Sequence, residues 1–263
     1  MAQINRTRRG AMVAVDLNSD IGEGYGDYVI GDDAAMLDIV SSANVACGFH
    51  AGDPEIMART FALARDRGVA VGAHPGFPDL WGFGRRKLPF STGEIERLVA
   101  YQIGAAQALS AYAGHPIRYV KPHGALSNMA IADAQIAQAI CRAVRAVDDR
   151  LVYLAPACTY QERCAREAGL ETRAEVFADR AYMADGSLMP RNLAGAVLSD
   201  IEAVVERALR MVREGAIETP DGAAIPTPVD SLCVHGDSPA AVAMAFALRQ
   251  RFEREGIAVR GFV

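Results

Sequence analysis

The histidines are few, and their positions indicate a common site. The chain contains five, and four of them, His50, His74, His123 and His235, come within about three residues of the end of a predicted strand. Imidazole can move protons near neutral pH and can bind a metal ion. Any one of them could be a hydrogen-bonded loop or core histidine. Loops that follow parallel strands converge on one face of the fold, so we expect the four to share a site. His115 lies at the opposite, helix-to-strand end and has no predicted role.

Carboxylate and amide side chains occupy equivalent positions. Asp16 and Asn18 are predicted to follow the first strand, and Glu23 lies just beyond them in a glycine-rich loop. Glu175 ends the sixth predicted strand, and Asp237 follows the seventh. Carboxylates in such positions suit general acid–base catalysis, and glycine lets the backbone approach an anion closely.

Lysine is nearly absent from the chain, which makes its positions informative. Only Lys87 and Lys121 occur among 27 basic residues, and Lys121 ends the fourth predicted strand. Arginine supplies positive charge everywhere else. A lysine at this strand end therefore indicates a specific need for an amine, either to bind an anion or to transfer a proton.

Residues 74–86 form a long loop that combines aromatic, glycine and basic residues. This composition predicts a lid or a wall of the substrate site. Arg85 and Arg86 could bind a carboxylate or phosphate there, although a solvated surface turn is an equal alternative. Cys47 could act as a nucleophile beside His50, but buried cysteines are common at strand ends.

Short β-rich runs alternate with longer helical runs along the chain. This alternation predicts an α/β fold with right-handed βαβ units and a mainly parallel sheet. About seven such units favour a barrel, or a distorted barrel, over a doubly wound open sheet. The predicted strands are 12–17, 44–47, 69–73, 117–121, 151–155, 172–177 and 231–234, and the predicted helices are 54–67, 93–113, 133–147, 159–168, 200–214 and 238–255.

Composition excludes several classes of protein. The chain has 263 residues and a net charge of −5, which argues against nucleic-acid binding. Its five cysteines form no C-x-x-C pair, which favours a reducing, cytoplasmic compartment over a disulfide framework. The apolar runs are too short to span a membrane. We expect a disordered N-terminal arm over residues 1–10 and one domain over 11–263, with a small hairpin within 218–228.

Three common catalytic motifs are missing from the sequence. There is no G-x-x-x-x-G-K-[ST] phosphate loop, no G-x-S-x-G nucleophile elbow and no H-E-x-x-H metalloprotease helix. The chain alone is therefore a poor candidate for an ATPase, a serine hydrolase or a helix-based metalloprotease.

Six segments closely resemble the LamB/YcsF family, whose members act as the A-subunit of bacterial 5-oxoprolinase. They are VDLNSDIGEGYG (15–26), SSANVACGFHAGDP (41–54), GAHPGFPDLWGFGRR (72–86), YVKPHGAL (119–126), EVFADRAYMADGSLMPR (175–191) and VHGDSP (234–239). The resemblance implies a (β/α)-barrel of the glycoside hydrolase/deacetylase type with seven strands. It also implies ring opening of the lactam 5-oxo-L-proline to L-glutamate, with ATP as co-substrate and with 5-oxoprolinase subunits B and C as partners.

On this basis we expect subunits B and C to activate the lactam with ATP, and this barrel to open the ring. Asp16 or Glu175 would be the general base, and His123 or His235 the general acid. Lys121 and Arg180 would hold carboxylate or phosphate oxygens. The remaining expected catalytic residues are Glu23, His50, His74 and Asp237, and the expected substrate-binding residues are Asn18, Asn44, Arg85 and Arg180.

Two alternatives remain open. The first is a metal-dependent amide or sugar deacetylase on the same fold, because histidines and carboxylates at strand ends can bind a divalent cation. The candidate ligands are His50, His74 and His123. The second alternative is a non-catalytic subunit that binds the lactam and delivers it.

Overall fold

A computed structural model describes residues 13–190, 193–220, 222–234 and 239–263. The predicted N-terminal arm (1–10) and the predicted site residues His235 and Asp237 lie outside the described residues. Within the described part of the chain, no helix combines the length and apolar character that crossing a bilayer requires.

Seven parallel strands form a closed barrel, which confirms the predicted fold. The strands in chain order are β1 (Ala14–Ile21), β2 (Ser42–Ala46), β3 (Ala70–His74), β4 (Tyr119–Val120), β5 (Val152–Pro156), β6 (Thr172–Phe177), β7 (Ala216–Glu218), β8 (Ala224–Pro226), β9 (Ser231–Cys233) and β10 (Ala258–Val259). The barrel order is β1, β2, β3, β4, β5, β6, β9, and β9 pairs with both β6 and β1, so the ring is closed. β7 and β8 form a small hairpin that begins two residues before the predicted segment 218–228, and β10 pairs with the first residues of β1.

Eight helices are present among the described residues. They are α1 (Asp33–Leu37), α2 (Pro54–Arg67), α3 (Thr92–Tyr112), α4 (Gly124–Ala132), α5 (Ala134–Asp148), α6 (Tyr160–Glu167), α7 (Ile201–Glu214) and α8 (Pro239–Arg254). Side chains cap two of the helices: Asp53 accepts hydrogen bonds from two backbone N–H groups of α2, and Ser91 forms a capping box with Glu94 at the start of α3. These caps set where the helices start, and so also the length of the loops that lead into them.

The apolar core lies between the strands and the helices, while part of the barrel interior is polar. Tyr119, Val152 and Leu154 fill the lower interior, where the Tyr119 ring packs against Phe262 at 5.0 Å. A Cβ on Gly72 would come within 2.4 Å of the Tyr119 ring, so only glycine fits opposite it. The lower end is thus filled by side chains, and the other end, where the strand carboxyl ends and βα loops lie, is termed the mouth.

The structure corrects the predicted course of β1. The sequence places the end of the first strand at Leu17, with Asn18 beyond it, but the strand continues to Ile21 because residues 18–21 pair with β2. The short helix α1 and the helix α4 are also absent from the sequence prediction. In contrast, the bounds of α2, α3, α5, α6 and α7 agree with it to within one residue at each end.

Candidate active site

β1 points three polar side chains into the barrel. Asp16, Asn18 and Asp20 are two residues apart, and alternate residues of a strand face the same side. Asp20 is nearest the mouth. Asp16 lies four residues deeper, which is about 13 Å at about 3.3 Å per residue. The predicted placement of Asp16 and Asn18 just after the strand is therefore wrong, because both lie within the barrel.

Asp16 is held by serine hydroxyls at the deep end of this row. Its carboxylate accepts hydrogen bonds from Ser41 and Ser42, each at 2.6 Å, and a short one from Ser231. Burial raises the pKa of the Asp16 carboxyl to about 6, against the opposing effect of these serine hydrogen bonds. This carboxylate is engaged within the barrel and lies well below the mouth.

Asn18 and Asn44 join the deep part of the barrel to its mouth. The Asn18 amide donates to Ser231 Oγ at 2.7 Å, and its carbonyl oxygen accepts from the Asn44 amide at 2.8 Å. Asn44 also accepts from the Tyr119 hydroxyl at 2.8 Å. Both asparagines are fully buried, so the structure gives them partners inside the protein. Substrate binding by either one stays a prediction.

Lys121 is the centre of the polar network beneath the mouth. Its Nζ lies 2.7 Å from Glu175 Oε1 and 3.0 Å from Asp20 Oδ1, and it also contacts Asn18 Oδ1 at 3.1 Å and Cys233 Sγ at 3.3 Å. Burial disfavours the charge, but Asp20, Cys233 and Glu175 together raise the pKa of Lys121 well above its usual value. The amine is therefore a fixed ammonium ion, suited to stabilising an anion and unsuited to acting as a base.

Asp20 belongs to the site although the sequence analysis did not select it. One of its oxygens pairs with Lys121, and the other lies 3.3 Å from His74 Nε2. Burial would raise the pKa of Asp20, but the neighbouring His74 and Lys121 hold it well below its usual value. The signal that could have identified it is its two-residue spacing from Asn18, which a longer first strand would have placed on the same face.

The three described histidines of the predicted set come together, as the sequence predicts. His74 Nε2 lies 3.1 Å from His123 Nδ1, and the rings of His50 and His123 stack at 3.7 Å. The pKa values of His50 and His123 are both lowered well below the usual range, chiefly by burial. A neutral imidazole accepts a proton more readily than it donates one. This argues against the predicted role of His123 as general acid.

The loop after β3 lies directly against the histidines, and its role as a lid or a wall of the substrate site stays a prediction. The Phe83 carbonyl oxygen lies 2.8 Å from His123 Nε2, and Phe83 itself has a φ of 54°, a left-handed conformation that is costly for a residue with a side chain. A Cβ on Gly84 would approach His50 Cβ to 2.7 Å, and one on Gly76 would approach His50 Nδ1 to 2.5 Å. The glycines thus allow the loop backbone to lie directly on the imidazole rings.

Glu23 lies at the mouth, next to the same rings. Its Oε1 is 3.7 Å from His50 Nε2 and 3.8 Å from His123 Nδ1. The side chain keeps 10% of its surface exposed, compared with 20% for Asp20 and none for Glu175. Among these carboxylates, Glu23 and Asp20 are the ones that a molecule entering from the mouth would meet first.

The arginines differ in how far they are already engaged. Arg86 forms a short ion pair with Asp79, whereas Arg85 is exposed, lies over the Phe83 ring at 5.0 Å and has no ion-pair partner among the described residues. Arg180 is buried and donates to the carbonyl oxygens of Met189 and Ala196. Arg180 therefore supports the loop after β6. Arg85 is the better placed to bind a substrate anion.

Two other residues take no part in the cluster. Cys47 is buried, with Sγ 3.2 Å from the Val45 carbonyl oxygen, and burial raises the pKa of its thiol to about 12. A thiol in that state is a poor nucleophile. His115 bonds to the Val69 carbonyl oxygen ahead of β3, at the opposite end of the barrel as expected.

Comparison with known proteins covers the part of the chain that contains these site residues. A family model described as the LamB/YcsF family matches residues 15–263. The chain belongs to this family. The 5-oxoprolinase A-subunit of Gluconobacter oxydans (strain 621H) is 57% identical over 246 residues, which cover 94% of this chain and 97% of that protein. The protein of the same name from Azorhizobium caulinodans is also 57% identical, over 95% of this chain and 99% of its own length.

Solved structures agree with the fold. The LamB/YcsF chain matches the lactam utilization protein from Thermus thermophilus with a TM-score of 0.90 and 46% identity, over 95% of this chain and all of that one. A T48 deacetylase matches with a TM-score of 0.50 and 14% identity, over 94% of this chain and 87% of the other. That second match concerns the fold alone, and it confirms the deacetylase-type barrel.

Proposed function

We propose that this chain is the A-subunit of an ATP-dependent 5-oxoprolinase. The enzyme opens the lactam ring of 5-oxo-L-proline to give L-glutamate, with cleavage of ATP to ADP and phosphate. The observation that carries the proposal is 57% identity, over nearly the whole length of both chains, to proteins named as the A-subunit of 5-oxoprolinase. All five cysteines are unpaired, which suits a cytoplasmic location.

The reaction needs activation because a lactam is an unreactive amide. The proposed partners are subunits B and C, which would use ATP to phosphorylate the lactam oxygen and so make the ring carbon electrophilic. This sequence contains no phosphate loop, and an assembly in which other chains bind ATP accounts for that. The barrel described here would then perform the ring opening.

Glu23 is the proposed proton carrier of that step. Its carboxylate takes a proton from water as the water oxygen bonds to the ring carbon. It then gives the proton to the ring nitrogen as the carbon–nitrogen bond breaks, which leaves an acyl phosphate that a second water hydrolyses to glutamate and phosphate. Glu23 suits this role because it lies at the mouth with part of its surface exposed, whereas Asp16 and Glu175, the bases expected from the sequence, lie deeper.

Charge stabilisation and substrate orientation are assigned to basic residues. Lys121 lies beneath the mouth beside Asp20 and Glu175, which raise its pKa, and its ammonium group would stabilise negative charge on the lactam or phosphate oxygen. Arg85 at the rim would bind the substrate carboxylate. His50 and His123 line the same space, and burial lowers the pKa of both imidazoles well below the usual range, so neither is assigned a proton-transfer role.

The proposal is tested by glutamate release from 5-oxo-L-proline and ATP. Three samples are compared: this chain alone, subunits B and C alone, and all three together. Turnover in the full mixture only is the expected result. No glutamate from an assembled and folded mixture would refute the proposal.

The clustered imidazoles and carboxylates favour one second candidate, a metal-dependent amide or sugar deacetylase. Release of acetate from N-acetylated sugars in the presence of Zn²⁺, by this chain alone, would favour it. A subunit that only binds the lactam would instead show substrate binding, and substitution of Glu23 would leave the turnover of the complex unchanged.

A further inference from the structure

Backbone carbonyl oxygens determine which ring nitrogens of His74 and His123 carry hydrogen. His74 Nδ1 lies 2.6 Å from the Lys121 carbonyl oxygen, and His123 Nε2 lies 2.8 Å from that of Phe83. A carbonyl oxygen can only accept a hydrogen bond, so each of these nitrogens is the donor. In a neutral imidazole the other nitrogen then has an unprotonated lone pair. These nitrogens are His74 Nε2 and His123 Nδ1.

The two lone pairs face one another and a carboxylate. His74 Nε2 lies 3.1 Å from His123 Nδ1 and 3.3 Å from Asp20 Oδ2. The lone pair of His74 Nε2 therefore lies close to two other acceptors, and acceptors at these two separations repel each other unless a cation lies between them. The cation can be a proton on one ring, which would make it an imidazolium, or a metal ion bound by all three groups.

We propose that Asp20 Oδ2, His74 Nε2 and His123 Nδ1 bind a divalent transition-metal ion of the Zn²⁺ class. Zinc binds imidazole nitrogen at about 2.0–2.1 Å, so two ligands of one ion at tetrahedral-like angles lie about 3.1–3.4 Å apart. The observed separations of 3.1 and 3.3 Å match this spacing. A donor set of two imidazoles and one carboxylate suits transition ions better than Mg²⁺ or Ca²⁺.

The surroundings of the three ligands support the site. Ligating histidines commonly donate their second N–H to a carbonyl oxygen, as His74 and His123 both do. The other oxygen of Asp20 is fixed by Lys121 at 3.0 Å and by the Asn44 amide at 2.8 Å. Glu23 and His50 lie within the same small volume, because one ligand atom from each of them and from His74 and His123 falls within 4.8 Å of the others.

His50 adds an independent observation. Both of its ring nitrogens are buried, and neither has a hydrogen-bond partner among the described residues. Burying a polar atom without a hydrogen-bond partner costs free energy, and the His50 ring lies beside the proposed ion. Its ring stacks flat on that of His123, so His50 is assigned to the surroundings of the ion and not to its ligands.

Only a catalytic role for this metal ion rests on the proposed function, because metal binding itself needs no lactam, ATP or further subunits. The full chain is freed of metal with a chelator and titrated with Zn²⁺ by calorimetry, and metal content is measured in protein purified without chelator. The parent is expected to bind one ion per chain. His74→Asn and Asp20→Asn should bind at least about tenfold more weakly, and His115→Asn, at the other end of the barrel, should bind like the parent.

A second measurement on the parent avoids dependence on the folding of variants. Long-range ¹H–¹⁵N NMR spectra report which imidazole nitrogens carry hydrogen. Zn²⁺ is expected to shift His74 Nε2 and His123 Nδ1 while the opposite nitrogens keep their protons. The proposal would be overturned if His74 is an imidazolium that Zn²⁺ leaves unchanged. It would also be overturned if the folded parent protein binds no Zn²⁺, or if His74→Asn binds Zn²⁺ as tightly as the parent does. Failure of glutamate release with normal Zn²⁺ binding would count against the proposed function alone.

Discussion

Replacing Lys121 with methionine tests the buried charge network at its centre. Methionine has nearly the same length but no charge, so Lys121→Met leaves Glu175, whose side chain is fully buried, and Asp20, which is 20% exposed, without their shared cation. Removing one partner of a buried ion pair costs about 3–5 kcal/mol. Asp20 can regain some hydration at the mouth, so we expect about 3 kcal/mol, near the lower bound.

This loss is measured by urea unfolding followed by circular dichroism. A free-energy loss of about 3 kcal/mol corresponds to a decrease in Tm of roughly 6–12 °C for a chain of this size. Lys87→Met is the matched control, because Lys87 is the only other lysine and is exposed. It should change the free energy of unfolding by no more than about 0.5 kcal/mol.

The double variant Lys121→Met/Glu175→Gln separates charge from packing. Neutralising Glu175 removes the stranded buried charge, so the double variant should be more stable than Lys121→Met alone. A loss below about 1 kcal/mol in Lys121→Met, or further destabilisation on adding Glu175→Gln, would refute the account of Lys121 as the cation shared by these carboxylates.

Three further predictions concern other parts of the barrel. The pKa of the Asp16 carboxyl in the folded state is raised to about 6, so its ionisation lowers stability as pH rises from about 4 to 6. The Tm of Asp16→Asn should therefore increase relative to the Tm of the parent over that range. A difference in Tm that stays constant with pH would contradict this. Gly84→Ala should lower the free energy of unfolding in urea by about 1–3 kcal/mol, because a Cβ there strains a left-handed backbone conformation and clashes with His50. Gly104→Ala should cause no such loss, because the space around Gly104 is open. Arg85→Met should raise KM for 5-oxo-L-proline with little change in kcat, and a loss confined to kcat would argue against carboxylate binding.

The convergence of the histidines was predictable from the sequence. His50 and His123 follow strands and His74 ends one, and the carboxyl ends of parallel strands meet at the same end of a barrel whatever the details of the fold. The helix caps were equally local signals, since Asp53 and Ser91 act on backbone groups two or three residues away.

The interior of β1 was not predictable by the same means. Hydrophobic patterning ends a strand where polar residues begin, but here Asp16 and Asn18 are polar and buried, and Asp20 is half-buried. Their burial is compensated by partners on other strands, such as Ser231 and Lys121, more than 100 residues away in the chain. A single sequence does not show such partners, so the strand was ended too early and Asp20 was missed.

Helix α4 escaped prediction for a different reason. It starts at Gly124, directly after His123, and no side chain caps its first turn. The preceding strand β4 has two residues, so neither the usual start signal nor a clear strand end marks the transition. The position of His123 between them depends on contacts with the loop after β3, which lie outside the local sequence.

The most direct test of the central claim compares ADP and glutamate formation by the complex of all three subunits when this chain carries Glu23→Gln. If the barrel opens a lactam that the other subunits activate, ADP should still form while glutamate formation falls about 10²–10⁴-fold, the usual contribution of a positioned acid–base group. Parental rates of both products in the variant complex would contradict the assignment of ring opening to Glu23 at the mouth of this barrel.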